Sequence, residues 1–92
     1  MADQTTAGIL KIKNVRGLHA RAAAAFVRVA EDFDAEITVG RDGQEVSGHS
    51  IMGLMMLGAA RGSEIVVSCS GVQAEEALKA LEKLVDDKFY ED

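Results

Sequence analysis

The sequence predicts a two-layer α+β domain: a four-stranded, mainly antiparallel sheet with three helices on one face. Three observations predict it. Three segments each carry one apolar stripe at helical spacing, four short segments alternate apolar and polar residues, and they follow one another in the order β-α-β-β-α-β-α. The chain has 92 residues, 48% of them hydrophobic, which suits a single globular core. A domain of this size buries roughly 60–65% of its unfolded surface. Only 4% of the residues are aromatic and none is Trp, so aliphatic side chains must build that core.

Residues 1–7 are small and polar and read as a flexible tail, leaving 8–92 as one domain. Ile9 to Lys13 reads as a strand, with Leu10 and Ile12 turned inward. A helix follows from about Ala20 to Glu31, with Ala23, Phe26, Val27 and Ala30 on one face. Phe33 is expected to tuck into the core where that helix ends. Ala35 to Val39 alternates with period two, and Asp42-Gly43 is a strong hairpin signal leading to a short strand, Glu45 to Ser47.

Ser50 is a good N-cap for a two-turn helix that Gly58 can end. Leu54 and Leu57 are its natural core residues, which leaves Ile51, Met52 and Met55 flanking a surface edge. Glu64 to Ser70 is a strand with Ile65, Val67 and Cys69 on one face. The last helix runs from Ala74 to about Asp87, with Ala77, Leu78, Leu81, Leu84 and Val85 inward. Glu75 and Glu76 suit its N-terminal end, and Glu75 with Lys79 makes a favourable i,i+4 pair. Asp86 and Asp87 oppose the dipole at its other end.

The stretch around which the chain is organised is Asn14-Val15-Arg16-Gly17-Leu18-His19-Ala20-Arg21. It joins the first strand to the first helix, and Gly17 can take backbone angles closed to other residues. His19 stands at the helix start, where unpaired N–H groups and the positive end of the dipole favour anions. Arg21 adds a fixed charge within the first turn. An imidazole beside an anion site can accept a phosphoryl group. The motif alone also fits a plain helix cap, so the rest of the chain has to decide.

Composition excludes several alternatives. A net charge of −5 and the scarcity of aromatic residues argue against nucleic-acid binding. One cysteine allows no internal disulfide, and Cys69 reads as a small core residue. His19, His49 and Cys69 lack the spacing of a metal site. No signal peptide or apolar run near ~18 residues is evident, so a cytoplasmic protein without membrane insertion is expected.

With these motifs in place, the chain resembles the HPr family of histidine-containing phosphocarriers of the bacterial phosphotransferase system. The likeness runs from about Ile9 to Phe89. It rests on Gly17-Leu18-His19-Ala20-Arg21, on His49-Ser50-Ile51-Met52-Gly53-Leu54-Met55, and on Gly62 and Gly71. The family fold is an open-faced β-sandwich with three helices on one side.

The resemblance implies that His19 is phosphorylated on Nδ1 by phospho-enzyme I, itself charged by phosphoenolpyruvate, and passes the group to an enzyme IIA. It implies that Arg21 stabilises the phosphoryl group and that Ser50 is the regulatory site of an HPr kinase/phosphorylase. Such a protein is a covalent relay rather than an enzyme. It needs no cofactor or metal and is expected to be a monomer.

The Ala20 amide and Arg16 are further members of the anion site. Arg28, Ile51, Met52 and Met55 complete a docking surface with a greasy centre and a basic edge. Three departures from the family pattern bear on partner choice: Ala22 where proline is common, Arg16 where a small polar residue is common, and His49 where lysine is frequent. A nitrogen-branch relative, or a purely regulatory one acting through protein contacts, is the alternative reading.

Overall fold

The computed structural model describes residues 4–91. In chain order it contains β1 (Gln4–Lys11), α1 (Ala20–Ala30), β2 (Glu36–Arg41), β3 (Gln44–Ser47), α2 (Ile51–Met56), β4 (Glu64–Gly71) and α3 (Ala74–Asp86). A short turn, Lys88–Tyr90, follows α3. The strands form one sheet in the order β1-β4-β2-β3, and every pairing is antiparallel.

Strand alternation decides which face is covered. Leu10 pairs with Ile65, Ile37 with Cys69, and Val39 with Val67, and all six are buried. Between them stand Ile9 and Val66, also paired but exposed on the uncovered face. α3 packs over β1 and β4, α2 reaches β3, and α1 packs on both other helices. Phe26 is fully buried at the centre of this layer, along with Leu54, Leu81 and Val85.

The turns follow their chemistry. Asp42 and Gly43 both have positive φ, 50° and 83°, as a tight hairpin with the right-handed twist of its strands requires. Ser50 Oγ accepts from the Gly53 amide at 2.9 Å and caps α2. Arg41 donates to the Leu57 carbonyl at 3.1 Å, holding the other end of that short helix against the hairpin.

Several expectations need correction. Gln4 to Ala7 are not a tail: they belong to β1, paired with Ser68 to Gly71, while residues 1–3 lie outside the described residues. β1 ends at Lys11 rather than Lys13, but Ile12 remains fully buried. Its amide donates to the Ser63 carbonyl, and its own carbonyl accepts from Gly62. Phe33 is only partly buried against the core. On α3 the pair formed is Lys83–Asp87 at 3.0 Å, and Asp86 meets Lys13 at 2.9 Å. Both aspartates that oppose the dipole thus find a cation, whereas Glu75–Lys79 is not among the ion pairs of the described residues.

Candidate functional site

The loop from Ile12 to His19 is held from both sides. At its start, Ile12 is tied to the turn before β4, as described above. Further on, the Leu18 amide donates to the Ala59 carbonyl at 2.9 Å. Between these ties, Asn14 to Gly17 forms a turn closed by the Gly17 amide on the Asn14 carbonyl at 3.2 Å. Gly17 has φ of 69°, and a Cβ there would lie 2.6 Å from the Ala59 carbonyl oxygen. Handedness and space both demand glycine.

This turn delivers His19 to the N-cap of α1. Its backbone is extended, its carbonyl accepts from Ala23 at 2.8 Å, and its side chain makes no cap bond. The ring is therefore available for other work. Ala20 and Arg21 follow in the exposed first turn of the helix, where amides lack helical acceptors. Arg21 makes no hydrogen bond or ion pair with other described residues, and no acidic residue occupies this first turn to occupy its guanidinium.

The His19 ring meets the end of the chain. Its Nε2 lies 2.9 Å from both carboxylate oxygens of Glu91. The two side chains are 16% and 12% exposed, so the contact is largely shielded from water. Asn14 is fully buried, and its Nδ2 donates to Glu91 Oε1 at 2.8 Å and to the Gly17 carbonyl at 2.7 Å. Two acceptors facing one amide group fix which end of Asn14 is nitrogen. Asn14 Oδ1 is buried without a hydrogen-bond partner.

Burial alone would push the Glu91 carboxyl up. The hydrogen bonds from Asn14 and His19, together with the charges of His19 and Arg16, outweigh it and hold the carboxyl below the usual carboxylate range. Glu91 is therefore an anion at neutral pH.

Glu91 arrives by an unusual route. Lys88, Phe89 and Tyr90 all have left-handed backbones, with φ of 57°, 56° and 60°, and none is glycine. Each costs roughly 1–2 kcal/mol. Phe89 is buried in the core, and its anchoring offsets part of that cost.

The second motif lies on α2, which packs beside α1. Ile51 and Met55 are each 40% exposed, and Met52 and Met56 are each 70% exposed, while Leu54 and Leu57 face the core. Arg28 is exposed on α1. The structure thus brings His19 and Arg16 together with two residues that sequence reasoning did not place in the site, Asn14 and Glu91. It also adds Met56 to the apolar edge. Asn14 had a local signal, an Asn-x-x-Gly turn. Glu91 had only a buried aromatic residue two positions before it.

Among the described residues, no group of three or more His, Cys, Asp or Glu could hold a metal ion, and no helix is long and apolar enough to cross a membrane. Cys69 is buried, which raises its thiol pKa.

Comparison with known proteins identifies the family and the fold. Residues 8–87 match the family described as PTS HPr component phosphorylation site. The phosphocarrier protein HPr of Pseudomonas aeruginosa is 45% identical over 83 residues, covering 89% of this chain and 92% of its own. The crystal structure of HPr-C-His from Thermoanaerobacter tengcongensis superposes with a TM-score of 0.90 at 44% identity, covering 95% of this chain and 98% of that one. A structure described as an HPr dimer from the same organism is 46% identical with a TM-score of 0.76, covering 89% and 94%.

Proposed function

The chain belongs to the HPr family of phosphocarriers of the bacterial phosphotransferase system, and on that premise we propose that it relays a phosphoryl group through His19. The group comes from phospho-enzyme I, charged by phosphoenolpyruvate, and goes on to a histidine of an enzyme IIA. The carrying observation is the position of His19: it caps α1 without using its ring for the cap, beside open first-turn amides and an unpaired Arg21.

Transfer between histidines depends on placing the acceptor in line and on stabilising charge at the equatorial oxygens. His19 Nδ1 attacks phosphorus as the donor N–P bond breaks, and the donor ring keeps the electron pair. The Ala20 and Arg21 amides and the Arg21 guanidinium stabilise those oxygens, and Arg16 adds long-range positive charge. The protein is a covalent relay and does not turn over on its own. It works as a monomer in the cytoplasm, where its partners act.

Partners dock on the exposed Ile51, Met52 and Met55, with Met56 extending the patch and Arg21 and Arg28 supplying its basic edge. An apolar centre with a cationic rim suits a transient complex with an acidic partner. Ser50 is the site for an HPr kinase/phosphorylase. A phosphate there places about −2 charge at the N-terminal end of α2, beside the patch. Docking of enzyme I then weakens while the fold persists.

The test is phosphorylation by enzyme I and phosphoenolpyruvate, read by intact mass. The expected result is one acid-labile phosphate, absent in His19→Ala and transferable to an enzyme IIA. Label from a nitrogen-branch enzyme I alone assigns the chain to that branch. No label from either overturns the relay and moves the weight to regulation through Ser50. Arg21→Ala is expected to slow both transfers; unchanged rates would remove its role. Ser50→Asp accepting as fast as wild type would remove the regulatory reading.

A further inference from the structure

We infer that Glu91 is a positioning residue for His19, holding the neutral ring in the tautomer that leaves Nδ1 free to attack. This deepens the reading of His19 as a phosphoryl acceptor at Nδ1 and rests on it. A carboxylate has no hydrogen to give, so the 2.9 Å contacts to both Glu91 oxygens require the hydrogen on Nε2. When the ring is neutral, its lone pair is then on Nδ1. In water an imidazole exchanges between both tautomers, and only this one can react at Nδ1.

The arrangement is built rather than incidental. Asn14, fully buried, fixes Glu91 Oε1 at 2.8 Å and is itself fixed by the Gly17 carbonyl of the loop that presents His19. Phe89 anchors the turn two residues earlier. Three consecutive left-handed residues are sustained to bring one carboxylate to one ring nitrogen. The hydrogen bond from Asn14 and the charge of Arg16, neither of which depends on the state of the ring, both favour the carboxylate.

The same contact serves the charge that moves during transfer. As the Nδ1 lone pair forms the new N–P bond, the His19 ring keeps its Nε2 hydrogen and becomes cationic. The donor ring loses its N–P bond and becomes neutral. One positive charge therefore passes from the donor ring to His19, where Glu91 faces it. A hydrogen bond that strengthens with this charge is worth about tenfold to hundredfold in rate. Glu91 does not touch phosphorus or the donor; it acts through the His19 ring.

The experiment compares wild type with Glu91→Gln and Glu91→Ala. Nitrogen-15 NMR of the His19 ring, recorded where it is neutral, reads the tautomer without any phosphoryl donor. Wild type is expected to hold the hydrogen on Nε2, and both variants to gain a clear Nδ1–H population. Acceptance from phospho-enzyme I is expected to slow by about tenfold or more, with thermal unfolding still cooperative. Unchanged tautomer populations overturn the proposal, as do acceptance rates equal to or above wild type, which would make Glu91 a mere anchor or a blocking contact. A wild type that shows the expected tautomer but takes no label overturns the relay reading and leaves the tautomer contact established.

Discussion

Asn14 and Glu91 stand 77 positions apart in the chain, and their side chains meet at 2.8 Å. The contact joins the turn that presents His19 to the end of the chain, closing the site between the first loop and the last. Both partners also bond something else: Asn14 holds the Gly17 carbonyl and Glu91 holds His19. The result is a short buried network, in which loss of one member strands the others.

The acid limb of stability is the first consequence. Glu91 is held below its ordinary value of 4.5 in the folded protein, so unfolding raises its proton affinity. Its contribution is present above that ordinary value and is lost as pH falls from there through the lower folded value. Denaturant unfolding at a series of pH values is expected to show wild type more stable than Glu91→Gln near pH 5, with the gap closing below 4.5. A gap that widened on acidification would reverse the assignment.

The left-handed turn makes a prediction in the opposite direction. Tyr90 is 70% exposed with φ of 60°, so its ring contributes little packing and its backbone is strained. Tyr90→Gly relieves about 1–2 kcal/mol of strain and gives back about 0.4–1 in unfolded-state entropy. The net gain expected from denaturant unfolding is roughly 0.5–1 kcal/mol. Loss of stability would mean that residue 90 is not left-handed.

Gly17→Ala is expected to be severe. The new Cβ meets the Ala59 oxygen at 2.6 Å and Ala60 Cα at 2.9 Å, both backbone atoms, at φ of 69°. Overpacking and the left-handed penalty together give a loss of about 2–5 kcal/mol, measured by denaturant unfolding. Because this turn carries Asn14, acceptance at His19 should fall with it.

Ser50 separates a structural role from a regulatory one. Ser50→Ala removes the Oγ that caps the Gly53 amide and is expected to cost about 1 kcal/mol in unfolding free energy. Ser50→Asp retains a capping oxygen and should recover most of that stability. An alanine variant as stable as wild type would show that the cap adds nothing to what Leu54, Leu57 and the Arg41 bond to the Leu57 carbonyl already hold.

Cys69 supplies a control on the core. It is 1% exposed, and burial raises its thiol pKa. Thiol reagents are expected to modify it only after denaturation. Rapid labelling of the native protein would mean that the strand carrying it opens readily.

The sequence by itself determined the element order, the inward faces of all three long apolar stripes, the hairpin at Asp42-Gly43, the Ser50 cap and the placing of His19 at a helix start. These depend on residues within about one or two turns of one another, where periodicity and turn chemistry act directly. Family resemblance suggested the roles proposed for His19, Arg21 and Ser50, through two motifs at the right separation. Only the tertiary structure decided what closes the site. Gln4 to Ala7 carry no strong pattern and become strand because β4 offers unpaired backbone. Lys88 to Tyr90 contain no glycine to announce a left-handed turn, so their conformation follows from the burial of Phe89 and the docking of Glu91. Contacts such as Asn14–Glu91 and His19–Glu91 leave no local signature, since a polar residue near a chain end looks the same whether it faces water or meets a buried amide. Which one it does is fixed by packing between segments more than seventy positions apart.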